Sequence, residues 1–197
     1  MNLETLEYPP LTEDIEEAKS HLDKYGMALI ANVLSFDEID EMDKRLNEQF
    51  LGEEKYKVGS KIRGDEGLGV ESSDEEKVSR LIWNLINKGD CFLKLIDHPK
   101  ILPLIQHIIG EKVCLCSMGA HMNGSGNERM ALHQDQWPLV PHPMDFPFMA
   151  NVMYLISDNS PENGGTRLIP GSHKWPLVDY RTANGEEIQK MANSLTA

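Results

Sequence analysis

The order of sequence patterns along the chain predicts an α+β domain. Up to about residue 112 the text is dominated by apolar residues at helical spacing, opened by capping residues and closed by glycines. From Val113 onward it changes to short apolar runs separated by Gly- and Pro-rich turns, the pattern of strands. No internal repeat interrupts this order, and a chain of 197 residues is of a size for one domain.

Each element has its own local reason. Residues 1–10 read as a loose leader ending in Pro9-Pro10. Thr12 is placed to cap a first helix, with Glu13, Asp14 and Glu16 at its positive end, Ile15, Ala18 and Leu22 on one face, and Gly26 as its left-handed stop. Met27–Val33 reads as a short buried strand. Ser35 and Glu38 form a capping box for a helix to about Phe50, with Ile39, Met42, Leu46 and Phe50 along one side. Residues 52–72 carry five glycines, many charges and no period, and are expected to be a loop that covers a substrate or stays unstructured. A second capping box, Ser73 with Glu76, predicts a helix from Asp74 to Lys88 burying Val78, Leu81, Ile82 and Leu85. Cys91–Ile96 reads as a helical turn. Pro99 is placed to open a further helix that is apolar on most sides, expected to pack on a sheet and to stop at Gly110. His98 and His107 lie in this region and read as caps or surface residues rather than ligands.

Four strands are expected after that: Val113–Met122, Arg129–Trp137, Phe148–Ile156 and Thr166–Ile169. Turns at Asn123–Asn127, Asp158–Gly165 and Pro170-Gly171 separate them, as does a loop over 138–147 with four prolines.

Composition narrows the partners. The formal net charge is −13, which disfavours a nucleic-acid partner because phosphate binding needs a basic face. No apolar stretch approaches the ~18 residues of a membrane span. The N-terminus lacks a basic region followed by an apolar run, so no signal peptide is expected. Three cysteines, an odd and low count, argue against a disulfide framework and fit a cytoplasmic setting. Cys114 and Cys116 are expected to be two small buried hydrophobes sharing one strand face. Oligomeric state has no signature in this text.

The chemistry centres on His133-Gln134-Asp135. Residues i and i+2 of a strand point to one face, so a short stretch aims an imidazole nitrogen and a carboxylate oxygen into one cavity. Imidazole plus carboxylate is two-thirds of the 2-His-1-carboxylate facial triad that holds non-haem Fe(II). About thirty residues on stands Asn163-Gly164-Gly165-Thr166-Arg167-Leu168-Ile169-Pro170-Gly171-Ser172-His173. Asn151 is a polar residue inside an apolar run and faces either a pocket or a buried partner. Trp137, just after the metal pair, walls the substrate site or packs in the core. His121 is able to point inward from the preceding strand toward a substrate pocket.

Together these stretches, from about Met118 to Pro176, resemble the phytanoyl-CoA dioxygenase family of Fe(II)/2-oxoglutarate oxygenases. The resemblance implies a double-stranded β-helix, a cupin-like jelly roll usually of eight strands, with the N-terminal helices packed on one sheet. It implies His133 and Asp135 as iron ligands, 2-oxoglutarate as co-substrate with O₂, and hydroxylation of a small-molecule C–H bond with release of succinate and CO₂. It matches Thr166 to the position whose hydroxyl contacts 2-oxoglutarate, the alternative being a β-branched strand residue. Asn151 is the second co-substrate candidate. The family's second iron-binding His and its 2-oxoglutarate-binding Arg lie further downstream, and after His173 the sequence offers no His and only Arg181. The chain therefore reads as a single domain of this type with an incomplete barrel: 1–112 mainly helical, 113–176 the first part of the jelly roll, 177–197 an incomplete C-terminal segment. The competing readings are a jelly-roll metalloprotein of other chemistry, and an inactive fragment or non-catalytic binding module that lacks the third ligand.

Overall fold

The structure, a computed structural model, describes residues 7–62, 79–123, 133, 135 and 146–174. The chain opens with β1 (Leu11–Thr12), α1 (Ile15–Tyr25) and β2 (Leu29–Ile30). β1 and β2 pair in parallel, Leu11 opposite Leu29 and Thr12 opposite Ile30, so α1 is a crossover between them. Thr12 was expected to cap α1. The cap is Asp14, whose carboxylate accepts from the backbone N–H of Glu16 and Glu17. Thr12 is buried instead, its hydroxyl bonded to the Glu17 carboxylate. Gly26 ends α1 as expected, at φ 74°.

α2 (Phe36–Tyr56) begins on the Ser35–Glu38 capping box, with both reciprocal hydrogen bonds made. It runs past Phe50, through a stretch expected to be loop. Glu53 explains the extension: it is buried and bonded to Lys88 at 3.0 Å and Gln49 at 2.9 Å, which holds the last turn despite Gly52. Lys57, at φ 56°, ends the helix.

β3 (Ser60–Ile62), β4 (Ser79–Ile82) and β5 (Ala120–Met122) form an antiparallel sheet in the order β3-β4-β5. β4 corrects the expected helix over 74–88, of which 74–78 lies outside the described residues. Leu81 and Ile82 are both buried, one on each side of a central strand, and Asn84 at φ 56° turns the chain into a 3₁₀ turn at Leu85–Asn87. α3 (Asp90–Leu93) fills the expected helical turn. α4 (Leu102–Ile109) starts later than Pro99. Pro103 takes the first turn, where its missing N–H costs nothing, and Gly110 ends the helix. α4 packs on α1, where the sequence suggested a sheet, and His107 Nε2 meets Asp23 Oδ1 at 2.8 Å.

The core gathers Met42, Leu46 and Phe50 of α2 against Ile82, Leu85, Cys91, Phe92 and Leu95. Met118, Ala120, Tyr154 and Ile156 pack against it from the later part of the chain. Only the last three residues of the expected Val113–Met122 strand pair, and Cys114 and Cys116 are exposed rather than buried. Phe148–Ile156 and Thr166–Ile169 form no ladder among the described residues. A strand needs a partner's N–H and C=O groups, and another expected strand, 129–137, is described only at His133 and Asp135. The alternation of a strand is still present: Tyr154 and Ile156 turn to the core while Met153 and Leu155 are exposed. The described sheets have two and three strands and close no barrel. Among the described residues no helix is long and apolar enough to cross a membrane. The turn at 124–127, the proline loop up to Asp145, the loop at 63–72 and residues 175–197 lie outside the described residues.

Candidate functional site

The structure brings the two proposed ligands together. His133 Nε2 lies 3.1 Å from Asp135 Oδ1, and both side chains are about half exposed. The other carboxylate oxygen, Oδ2, accepts from the side-chain amide of Asn151 at 2.5 Å. Asp135 is thus held at both oxygens. The hydrogen bond from His133 holds its carboxyl below the usual carboxylate range. Partial burial pushes the other way, and the His133 charge and the Asn151 amide add to the lowering.

The donor set fits a first-row metal. Two ligands bound at right angles, each at about 2.1 Å, stand about 3.0 Å apart, and the observed nitrogen–oxygen separation is 3.1 Å. The same separation is also that of a hydrogen bond. Among the described residues no group of three His, Cys, Asp or Glu side chains comes together as a metal site. His173 does not join the pair, because its Nε2 faces the backbone carbonyl of Asp23 at 3.3 Å. His98 and His107 act as a cap and a surface residue, as expected: His98 Nδ1 accepts from the Lys100 N–H, and His107 pairs with Asp23.

Asn151 resolves the choice the sequence left open in an unforeseen direction: its partner is the candidate iron ligand. The signal was present, since a lone amide in an apolar run needs a partner. Three residues beyond it, on the face turned to the core, Tyr154 donates its hydroxyl to the Leu95 carbonyl at 2.9 Å, and burial pushes the phenol up to about 12. This bond fixes the run that carries Asn151 to the helical layer.

His121 lies in β5 opposite Leu81. The residue is exposed, yet desolvation by the surrounding protein lowers its pKa. Asn123, directly after β5, donates its amide to the Gly164 carbonyl at 2.9 Å and so clamps the Asn163-Gly164-Gly165 turn. Sequence reading did not single out Asn123. Gly164 sits at φ 82°, and a Cβ there would fall 2.9 Å from the Asn123 amide nitrogen, so the turn requires glycine on both counts. Thr166 follows this turn and is exposed. Trp137 lies outside the described residues.

The chain resembles known dioxygenases over most of its length. A sequence model of the family described as phytanoyl-CoA dioxygenase matches residues 22–194. Dioxygenase af480 of Aspergillus fumigatus is 29% identical over 165 residues, covering 84% of this chain and 51% of the relative. A probable alpha-ketoglutarate-dependent hypophosphite dioxygenase of Stutzerimonas stutzeri is 25% identical, over 87% of this chain and 58% of the relative. Dioxygenase sphC of Aspergillus fumigatus is 23% identical, over 83% and 46%. The chain thus spans about half the length of these curated relatives. No solved structure matches it.

Proposed function

The chain belongs to the phytanoyl-CoA dioxygenase family, and from that premise we propose that it serves an Fe(II)- and 2-oxoglutarate-dependent dioxygenase that hydroxylates a C–H bond of a small molecule. The observation that carries the reading is the pairing of His133 with Asp135 at 3.1 Å, with Asn151 on the second carboxylate oxygen. An imidazole and an oriented carboxylate are the two ligand types of the facial triad. One relative bears the name of an alpha-ketoglutarate-dependent dioxygenase, which supports the co-substrate.

In this reading His133 and Asp135 would hold the iron, and the third ligand would be the second His that the family carries further downstream. Asn151 keeps Asp135 turned so that Oδ1 faces the metal position. Thr166 offers its hydroxyl to 2-oxoglutarate, and His121 and Trp137 border the substrate. Iron bound there, with 2-oxoglutarate and O₂, would supply the oxidising power for the hydroxylation, with succinate and CO₂ as co-products. The protein's work is to orient these groups and keep water out. The three-stranded sheet and the run 148–156 form part of the family's jelly roll in a single domain over 1–197. Three free thiols, Cys91, Cys114 and Cys116, accord with a cytoplasmic setting.

The test is Fe(II)-dependent conversion of 2-oxoglutarate to succinate by this chain and by any longer coding product that contains it. Each is assayed beside its His133→Ala and Asp135→Ala variants. Turnover lost in both variants supports the reading. Turnover that persists in either, or metal-independent turnover, defeats it.

A further inference from the structure

The Pro170-Gly171-Ser172-His173 turn, so prominent in the sequence, has no part in the site as described. It reaches back to the end of α1. Gly171 donates its backbone N–H to the Tyr25 carbonyl at 2.7 Å, and His173 Nε2 lies 3.3 Å from the Asp23 carbonyl. A carbonyl only accepts, so Nε2 carries the hydrogen and has no lone pair left for a metal. The last carbonyls of a helix have no partner within it. Here Gly26 takes that of Leu22, and the distant turn takes those of Asp23 and Tyr25. The ring is seated against Gly26, where a Cβ would fall 2.3 Å from His173 Nδ1. Nearby, the Tyr8 hydroxyl donates to the Leu168 carbonyl at 3.2 Å. At its other end the same run is held by Asn123 through Gly164. Thr166 lies between the two anchors.

The geometry points to His173 as a positioning residue: with Gly171 it caps α1 and thereby fixes the Gly165–Ile169 run that presents Thr166. The inference rests on the reading of Thr166 as the 2-oxoglutarate contact. It assigns His173 no contact with iron or substrate.

The variants are His173→Ala, which removes the ring, and His173→Gln, whose Nε2 amide donates from nearly the same place. Two readouts are taken on the form of the protein that turns over 2-oxoglutarate. Hydrogen exchange of amides 164–171 reports the anchor and needs no iron. Anaerobic titration with 2-oxoglutarate, followed by the charge-transfer absorbance of the Fe(II) complex, reports co-substrate binding. His173→Ala should speed exchange over 164–171 and weaken 2-oxoglutarate binding about fivefold, the effect of one ordinary hydrogen bond. Fe(II) affinity should stay within about twofold of wild type. His173→Gln should restore most of both. Unchanged exchange in His173→Ala overturns the anchor. Faster exchange with unchanged 2-oxoglutarate affinity overturns the positioning role, and so does an equal loss of iron and 2-oxoglutarate binding that Gln does not rescue. A wild-type protein that shows no charge-transfer band defeats the dioxygenase reading itself, and the exchange data then stand apart from it.

Discussion

Replacing Asn151 with Leu removes the amide that steadies Asp135 and keeps most of the side chain's bulk. Among the described residues Asp135 then has one tether, His133 at 3.1 Å, in place of two, and its carboxylate rotates more freely about a broad terminal torsion. A hydrogen bond to a charged group contributes about 1.5–3 kcal/mol. Asp135 is half exposed, so water replaces part of the lost bond and the lower value, about 1.5 kcal/mol, applies. That is about a tenfold loss of Fe(II) affinity, the low end of the range for groups that orient metal ligands. Anaerobic calorimetric titration with Fe(II), at saturating 2-oxoglutarate, measures it directly. Asn151 is itself exposed, so the melting temperature should hardly move. An iron affinity within twofold of wild type would refute the orienting role. Should 2-oxoglutarate affinity fall while iron affinity holds, Asn151 is a co-substrate contact, the assignment the sequence first suggested.

Three further outcomes concern the scaffold. Ile82→Ala, at a fully buried site in the central strand, should cost about 3 kcal/mol in urea denaturation, and a loss under about 1 kcal/mol would contradict the placement of β4. Ser35→Ala should cost about 1 kcal/mol while Ser35→Asp retains most of it, because either oxygen accepts from the Glu38 N–H; equal losses would remove the capping argument. Burial alone would raise the Glu53 pKa, but hydrogen bonds from Gln49 and Lys88 outweigh it and lower the folded value. Its contribution is therefore complete above the unfolded carboxyl's pKa of about 4.3 and is lost as pH falls through the folded value. Wild type should lose more stability than Glu53→Gln on acidification below about pH 4.5, and parallel pH profiles for the two would count against the pair.

The parts of the fold that were legible in the sequence are those set by local chemistry. The Ser35–Glu38 box, the Gly26 stop, the helical turn after Cys91 and the Gly110 stop depend on a few adjacent residues, and all are present. Where the outcome depends on distant partners, local pattern misled. Val78, Leu81, Ile82 and Leu85 have helical spacing, yet Leu81 and Ile82 also suit a strand buried on both faces, and pairing with β3 and β5 decides the matter. Cys114 and Cys116 alternate as in a strand but have no ladder among the described residues, and they stay exposed. The site divides the same way. His133 and Asp135 were legible because two residues of separation suffices to bring them together. The Asn151 contact spans 16 residues and the Asn123 clamp 41, and no local rule reaches that far.

The docking of the 170–173 turn on α1 also bears on how the chain folds. The His173–Asp23 contact joins residues 150 apart in sequence, and Tyr8–Leu168 joins residues 160 apart. Closing so long a loop costs chain entropy before the contact returns anything, so such contacts form late. The helical layer, built from neighbours, is then in place first, and the turn arrives on a finished helix end. Weakening the seat should leave the refolding rate nearly untouched and speed unfolding instead. The length of time a molecule stays folded, more than the ease with which it folds, is what this small turn governs.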